Sequence, residues 1–355
     1  MKIEINKNVL EHMVVNAQNF LDKKDESSIT SHVLLSSIDG NFTIKASDYE
    51  IGISMQTTNY NPIVDGMASA NGKKLLDSIK PLDDEDVTIE VDGEQLLLKQ
   101  GKRKITFSMF NTDEYPEFPT TENKSKFEIN PIDFLKSIKK ISSAIDVNNP
   151  KYELNGALID LKDDKVNFVG TDTKRLAIVQ LDKDIEEELS LIIPKKAINE
   201  IQKLFFDEMK IYYDENILII ESETFHFFTK LINGKYPDYQ RIIPKETKYE
   251  LTLNREKIIS EIKVIYPSSP EMRITFNNDS IVFESLSEDS LKARTEINYI
   301  CNLSESIYIN VNSRYILDFL SNIDSSEFSL GYNDSSMPFV LDSDNFKTII
   351  MPIIR

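Results

Sequence analysis

An asparagine stands at positions 6, 130 and 254, two equal intervals of 124 residues. Before each lies a short alternating stretch: Ile3-Glu4-Ile5, Phe127-Glu128-Ile129 and Leu251-Thr252-Leu253. After each comes a run with helical apolar spacing. Alternation predicts a strand, and an asparagine ahead of a helical run predicts an N-cap whose side-chain oxygen accepts from a free first-turn amide. Pro131 then falls at the first helical position, where its missing amide proton costs nothing. A chain that spells strand, cap and helix three times is constrained to three similar units.

The remainder of the unit recurs in the same order. Mid-unit strands are expected at Phe42–Asp48, Asn167–Asp172 and Ile281–Ser285. Second helices are expected at Lys73–Ile79, Lys195–Ile201 and Ser313–Phe319. The first two units close on Tyr115-Pro116-Glu117-Phe118 and Tyr236-Pro237-Asp238-Tyr239. With 355 residues, too many for one ordinary core, the expected division is 1–120, 121–242 and 243–355. The fold class is α+β, each unit carrying antiparallel sheets and a helix pair on one face.

Charge supplies a second constraint. The chain carries 41 Lys and Arg against 59 Asp and Glu, a net −18. A uniformly mixed surface of that sign repels nucleic acid, so DNA binding demands segregation. The six expected helices are 7–24, 72–80, 131–145, 194–205, 254–264 and 311–323. Together they hold sixteen basic and eight acidic residues, a surplus of +8, and the rest of the chain carries −26. Lysine's helix propensity does not explain this, because glutamate shares it. Basic helices on one face would bind phosphates without reading bases, and in a salt-sensitive way. Six helices about 10 Å wide would close around a hole of roughly 9 Å, and twelve around roughly 28 Å, against about 20 Å for B-DNA. One chain is therefore too small to encircle DNA, whereas a head-to-tail pair forming a six-domain ring, with helices lining the hole, suffices.

Several short stretches, in this order, resemble the bacterial sliding clamp family, the beta subunit of DNA polymerase III. Tyr152-Glu153-Leu154-Asn155-Gly156 is similar to the family's Y-x-L-N-G. Gly170-Thr171-Asp172-Thr173-Lys174-Arg175-Leu176-Ala177 resembles its T-D-x-x-R-L-A stretch. Lys235-Tyr236-Pro237-Asp238-Tyr239-Gln240-Arg241-Ile242-Ile243-Pro244 resembles its aromatic-P-D-Y-x-R junction, and Ile349-Ile350-Met351-Pro352 its V-V-M-P ending. The resemblance covers the whole chain. It implies a non-catalytic processivity factor that encircles double-stranded DNA as a homodimer and works within a DNA-directed DNA polymerase complex.

The resemblance also implies one hydrophobic pocket in which the replicative polymerase, the clamp loader, repair polymerases and mismatch-repair proteins dock short peptides. Carried over by motif, it consists of Leu154, Thr171, Lys174, Arg175, Leu176, Pro237, Arg241, Ile242, Ile350, Met351 and Pro352, with Tyr315 beside it. The aliphatic residues and methionine offer an adaptable slot, and Arg175 and Arg241 at its rim would hold peptide carbonyls or acidic groups. For DNA contact the expected residues are Lys24, Lys73, Lys74, Lys151, Tyr152 and Lys196, supported by Lys136, Lys139 and Lys140. Subunit closure is expected to pair an edge strand of the first unit, with Ile105 and Phe107, with the neighbourhood of Val264 and Ile265 in the third. Departures from the family pattern are Thr173 where glycine is frequent, the ending Ile353-Ile354-Arg355, and the loss of a proline near Ser27-Ser28-Ile29.

Two rival readings differ in kind. An enzyme would need a chemical motif, and the sequence has no G-x-x-x-x-G-K-[ST] loop, no G-x-S-x-G elbow and no H-E-x-x-H. The acidic stretches Asp83-Asp84-Glu85-Asp86 and Glu186-Glu187-Glu188 are read as solvated turns. Three scattered histidines and one cysteine, Cys301, favour neither a metal site nor a disulfide framework, and no cofactor is expected. A protein-binding scaffold indifferent to DNA is the second rival, but it would need neither the charge division nor dimerisation. A reducing cytoplasm is the expected compartment. No apolar run reaches a membrane span, and the first residues alternate like a strand rather than a signal peptide.

Overall fold

The computed structural model describes residues 1–183, 188–206, 208–286 and 291–354. Glu186, Glu187 and Arg355 lie outside the described residues. The first repeat runs β1 (Lys2–Asn6), α1 (Lys7–Ala17), β2 (His32–Ile38), β3 (Asn41–Ser47), β4 (Ile51–Thr57), β5 (Asn61–Val64), β6 (Gly66–Asn71), α2 (Gly72–Ile79), β7 (Asp86–Asp92), β8 (Gln95–Gln100) and β9 (Arg103–Ser108). The second contributes β10 (Ser125–Phe127), α3 (Pro131–Ser142), β11 (Gly156–Lys162), β12 (Lys165–Thr171), β13 (Arg175–Asp182), β14 (Leu189–Pro194), α4 (Lys195–Leu204), β15 (Lys210–Tyr213), β16 (Ile217–Glu221) and β17 (Phe225–Lys230). The third contributes β18 (Tyr249–Asn254), α5 (Arg255–Ile265), β19 (Glu271–Phe276), β20 (Ser280–Ser285), β21 (Arg294–Asn298), β22 (Ile307–Asn312), α6 (Ser313–Leu320), β23 (Glu327–Tyr332), β24 (Phe339–Ser343) and β25 (Phe346–Ile350).

Local chemistry sets the helix starts. Asn6 accepts from the amide of Asn8 at 2.9 Å, Asn130 from Ile132 at 2.9 Å, and Asn254 from Lys257 at 3.1 Å. Asn71 and Asn312 cap α2 and α6 in the same way. Each such cap stabilises its helix by about 1 kcal/mol. Inward faces follow the helical period: Leu10, Met13, Val14 and Ala17 on α1, and Ala197, Ile198 and Ile201 on α4, are all buried. Five of the six helices are shorter than the sequence suggested, and α5 keeps its length one residue further along. α1 ends at Ala17 and tightens into a 3₁₀ turn, Gln18–Phe20, that sinks Phe20 into the core. α3 ends at Ser142. Within the observed bounds the helices hold thirteen basic and seven acidic residues, so the surplus is six rather than eight. Lys24 lies in the loop beyond α1.

Each repeat builds two four-stranded antiparallel sets. The opening sets are β1-β7-β8-β9, β10-β15-β16-β17 and β18-β23-β24-β25. The middle sets are β4-β3-β2-β6, β13-β12-β11-β14 and β21-β20-β19-β22. β4 pairs with β17, with Ile53 opposite Phe227, so the first middle set and the second opening set form one eight-stranded sheet. β13 pairs with β25, with Leu176 opposite Ile349, and fuses the second middle set to the third opening set. β9 stands where β17 and β25 stand in their sets, and β21 where β4 and β13 stand; among the described residues each has one neighbour, β8 and β20. β5 is an extra strand on β1.

Two compact units result, residues 1–132 with 200–231 and residues 133–199 with 232–355. The second repeat is divided between them because its two strand sets belong to different fused sheets. No described helix is long and apolar enough to cross a membrane. The acidic stretch at Asp83 is a turn, as expected: Asp83 pairs with Arg103 at 2.9 Å and its amide donates to Gln100.

Candidate peptide pocket and basic helix surface

The stretch Thr171–Leu176 folds as a turn entering β13, and Asp172 explains its pattern. One oxygen, Oδ1, accepts from the amides of Lys174 and Arg175, each at 2.9 Å. The other, Oδ2, accepts from Arg175 Nε at 3.1 Å. Thr171 Oγ1 donates to the carbonyl of Arg175 at 2.6 Å and accepts from the amide of Thr173 at 3.1 Å. Thr173 adopts a left-handed φ of 71°, and Tyr49 has a φ of 70° at the matching turn of the first repeat. The turn that glycine would favour is therefore kept with a β-branched residue, at a cost of about 1–2 kcal/mol.

Arg175 is not at the rim, which corrects the sequence-based expectation. It is 6% exposed, and its Nη1 donates to Asp318 of α6 at 2.6 Å. Its Nη2 donates to the carbonyl of Ser143 just past α3, and its guanidinium stacks 4.5 Å from the ring of Tyr315. Two carboxylates and a carbonyl take three of its five N–H donors and compensate the buried charge. It fixes the floor of the site. Lys195 reinforces it from α4, donating to the carbonyls of Ser142 and Ile145. Burial, together with the nearby charge of Arg175, holds the Lys195 ammonium below its usual range. Burial pushes the Tyr315 hydroxyl up, helped by Asp172.

Beside this turn opens a cavity of about 550 Å3. Thr171, Thr173, Arg175 and Leu176 line it from β13 and its turn, and Ile349 and Met351 from the chain end. Arg241, Ile242, Ile243 and Pro244 line it from the segment entering the third repeat, and Met337 and Pro338 from the β23–β24 loop. A buried cluster of Leu154, Leu158, Leu176, Ile232, Tyr236, Tyr239 and Ile349 adjoins it. Ile242 and Met351 are 45% and 42% exposed and, with Met337 at 47%, gather three large exposed apolar side chains around one cavity. Arg241 is exposed and paired with Asp238 at 2.7 Å, so of the two arginines only this one faces solvent.

Thr171, Arg175, Leu176, Arg241, Ile242 and Met351 are thus brought together around one cavity. The other carried-over residues lie nearby without lining it. Leu154, Ile350 and Pro352 are buried, whereas Lys174 and Pro237 are exposed. Tyr315 acts through Arg175. Burial pushes the Tyr236 hydroxyl up, and that oxygen has no hydrogen-bond partner among the described residues. Sequence reasoning missed Thr173, Ile243, Pro244, Met337, Pro338 and Ile349. Thr173, Ile243, Pro244 and Ile349 sat inside the quoted motifs, but Met337 and Pro338 follow a polar turn that carries no motif.

Of the residues expected to contact DNA, Lys73 and Lys74 are exposed on α2, Lys136 and Lys139 on α3, and Lys196 in the first turn of α4. Lys24 and Lys151 are exposed in loops, and Tyr152, 62% exposed, begins the 3₁₀ turn Tyr152–Leu154. Lys74 lies 3.4 Å from Glu26. Lys140 is a correction: it is partly buried, donating to Asn345 at 3.1 Å over the ring of Phe346, and burial lowers its pKa. The third-unit interface expectation also changes. Val264 and Ile265 lie on α5, not on a strand, and Ile265 is wholly buried while Val264 is 56% exposed. Ile105 is half-buried on the edge strand β9, and Phe107 is already buried within the chain.

Three family models match in succession: the N-terminal domain of the DNA polymerase III beta subunit over residues 1–119, its central domain over 128–238 and its C-terminal domain over 240–354. The chain is 37% identical to the beta sliding clamp of Helicobacter pylori strain J99, over 99% of this chain and all of that protein. Among solved structures it resembles the Helicobacter pylori beta clamp bound to a DNA ligase peptide, with a TM-score of 0.94, 38% identity and full coverage of both chains. A Pseudomonas aeruginosa sliding clamp bound to griselimycin shares the fold at a TM-score of 0.92 and 22% identity, again over both whole chains.

Proposed function

This chain belongs to the DNA polymerase III beta subunit family, and from that membership we propose that two copies close head to tail into a six-domain ring around duplex DNA. It is a sliding clamp, the non-catalytic processivity subunit, which tethers other proteins to DNA. In the proposed reading the domains are 1–120, 121–242 and 243–355. Duplex DNA passes through the ring without sequence preference, and the compartment is the cytoplasm.

Strand pairing carries the ring. Two of the three possible junctions between a middle set and the next opening set are made within the chain, β4 with β17 and β13 with β25. The third needs β21 and β9, each of which has an unpaired edge among the described residues. A β21 edge meeting the β9 edge of a second copy completes the rule, and a twofold axis makes the contact twice. Ile105 on β9 and the exposed Val264, on the helix packed against β20 and β21, supply apolar cover. The expected particle has twice the 40.8 kDa mass in sedimentation, and Ile105→Arg with Val264→Arg yields monomers. A double variant that stays dimeric rejects this placement.

In the same reading, Lys24, Lys73, Lys74, Lys136, Lys139, Lys151, Tyr152 and Lys196 face the DNA. Reversing Lys73, Lys74 and Lys196 to glutamate weakens binding and flattens its salt dependence, because fewer counterions are released. The 550 Å3 cavity is the dock for short peptides of the replicative polymerase, clamp loader, repair polymerases and mismatch-repair proteins. Its support is the exposed apolar pair Ile242 and Met351, and a relative that binds a DNA ligase peptide.

A further inference from the structure

The cavity has two walls that belong to different stretches of chain, Arg241–Pro244 and Met337–Pro338. Neither wall is a strand of the adjoining sheets. Ile243 of the first wall packs against the buried cluster, and a polar tie at the sheet edge joins the two stretches. Asn333, at the end of β23, donates from Nδ2 to the carbonyl of Glu246 at 3.1 Å and accepts at Oδ1 from the amide of Lys248 at 2.7 Å. The side chain thereby bonds the backbone on both sides of Thr247, as a neighbouring strand would.

The position of this clamp follows from the ladder. β18 and β23 pair with Tyr249 opposite Tyr332, so the next rung would be Lys248 opposite Asn333. The described strands end there, and the Asn333 side chain takes the place of the missing rung. Thr247 is pressed onto the sheet one step inside. A Cβ added at Gly331 would stand 2.7 Å from Thr247 Cγ2, so only glycine allows this approach. Just before the clamped residues comes the wall Arg241–Pro244. Just after Asn333 comes a turn held by Asp334, which accepts from the Ser336 amide at 2.8 Å and its hydroxyl at 2.6 Å, and then Met337 and Pro338.

We propose that Asn333 is a positioning residue that sets the width of the peptide pocket, and so its selectivity among apolar anchor side chains, by locking its two walls to one another. It touches no ligand. The proposal rests on the peptide-dock reading of the cavity. Losing the amide frees the 246–248 segment from the loop carrying Met337, and both walls then relax independently. A wider and more mobile slot binds every anchor more weakly, and it loses most where the fit was tightest.

The test uses the full-length protein and two synthetic hexapeptides differing at one anchor position, leucine in one and phenylalanine in the other, with fluorescence anisotropy as readout. Wild type is expected to bind both with unequal affinity. Asn333→Ala is expected to lose about tenfold for the preferred peptide and less for the other, so that the affinity ratio collapses, at unchanged dimer mass. Gly331→Ala, which pushes Thr247 off the sheet and leaves the amide in place, should shift the ratio in the same direction, providing a second route should the first variant fold poorly. A wild-type protein that binds neither peptide overturns the dock reading. Wild-type binding with an unchanged ratio in both variants overturns the role of Asn333 alone.

Discussion

The two fused sheets have the same architecture and opposite surfaces. At the β4–β17 junction Gly52 faces Phe228, whose ring occupies the space a side chain at position 52 would take: an added Cβ would lie 2.2 Å from it. Phe118 covers Phe228 at 5.1 Å between ring centres, and Lys45 lies over Phe118. At the β13–β25 junction the matching pair is Leu176 and Ile349. There Tyr236 and Tyr239 share the buried cluster of Leu176 and Ile349, and the 550 Å3 cavity opens beside it. The closing tyrosines differ as well. Tyr115 donates to the carbonyls of His32 and Lys45, whereas the Tyr236 hydroxyl has no partner among the described residues. One junction is filled by its own side chains and the other leaves room for a ligand, although both are built by the same strand pairing. The dock therefore comes from which residues sit at the seam, not from the fold.

The sharpest way to break the open junction is Arg175→Ala. It leaves Asp172 and Asp318 facing each other without their cation and should cost about 3–5 kcal/mol in denaturant unfolding, with loss of peptide binding. A small loss would mean that the buried guanidinium is not what holds the floor. The filled junction is broken by Gly52→Ala, which forces Phe228 from its place for about 1–3 kcal/mol. Peptide binding by that variant should be unchanged in anisotropy titrations, since the cavity lies at the other seam.

Acid should also act through the filled side. Burial, and then the charge of Lys74, hold His32 at a pKa of about 4. Its unfolded value is near 6.5. The unfolded chain therefore binds the proton first, and stability falls as pH drops from about 6.5 toward about 4, then levels. His32→Gln should flatten that part of a pH–melting profile, and an identical slope in the variant would contradict the assignment. The smallest effect is expected at the turn of the open junction. Thr173→Gly removes left-handed strain and should raise stability by up to about 1 kcal/mol, the freedom of glycine in the unfolded chain offsetting part of the gain.

What could be read from the sequence was what local chemistry determines. The asparagine caps follow from residues adjacent in the chain, and the turn at Asp172 is complete within four residues. The sheet fusions were not legible, because Ile53 meets Phe227 only after the whole intervening chain has folded. Arg175 was misplaced at the rim for the same reason: Asp318, the partner that buries it, is 143 residues away. Val264 was named for the interface neighbourhood although the expected helix 254–264 already ended on it, and Ile265 proves to be the buried last residue of that helix. Met337 and Pro338 follow the polar turn Asn333-Asp334-Ser335-Ser336, which carries no signal that it ends at a pocket.

The central claim is topological, and retention on DNA tests it most directly. The purified protein, loaded onto nicked circular DNA, is passed through a sizing column before and after the circle is linearised, with particle mass determined in parallel. Encirclement by a dimer predicts retention on circles, run-off from free ends, and a particle of twice 40.8 kDa. Equal loss from circular and linear DNA at moderate salt would contradict it, leaving ordinary electrostatic contact in place of a ring.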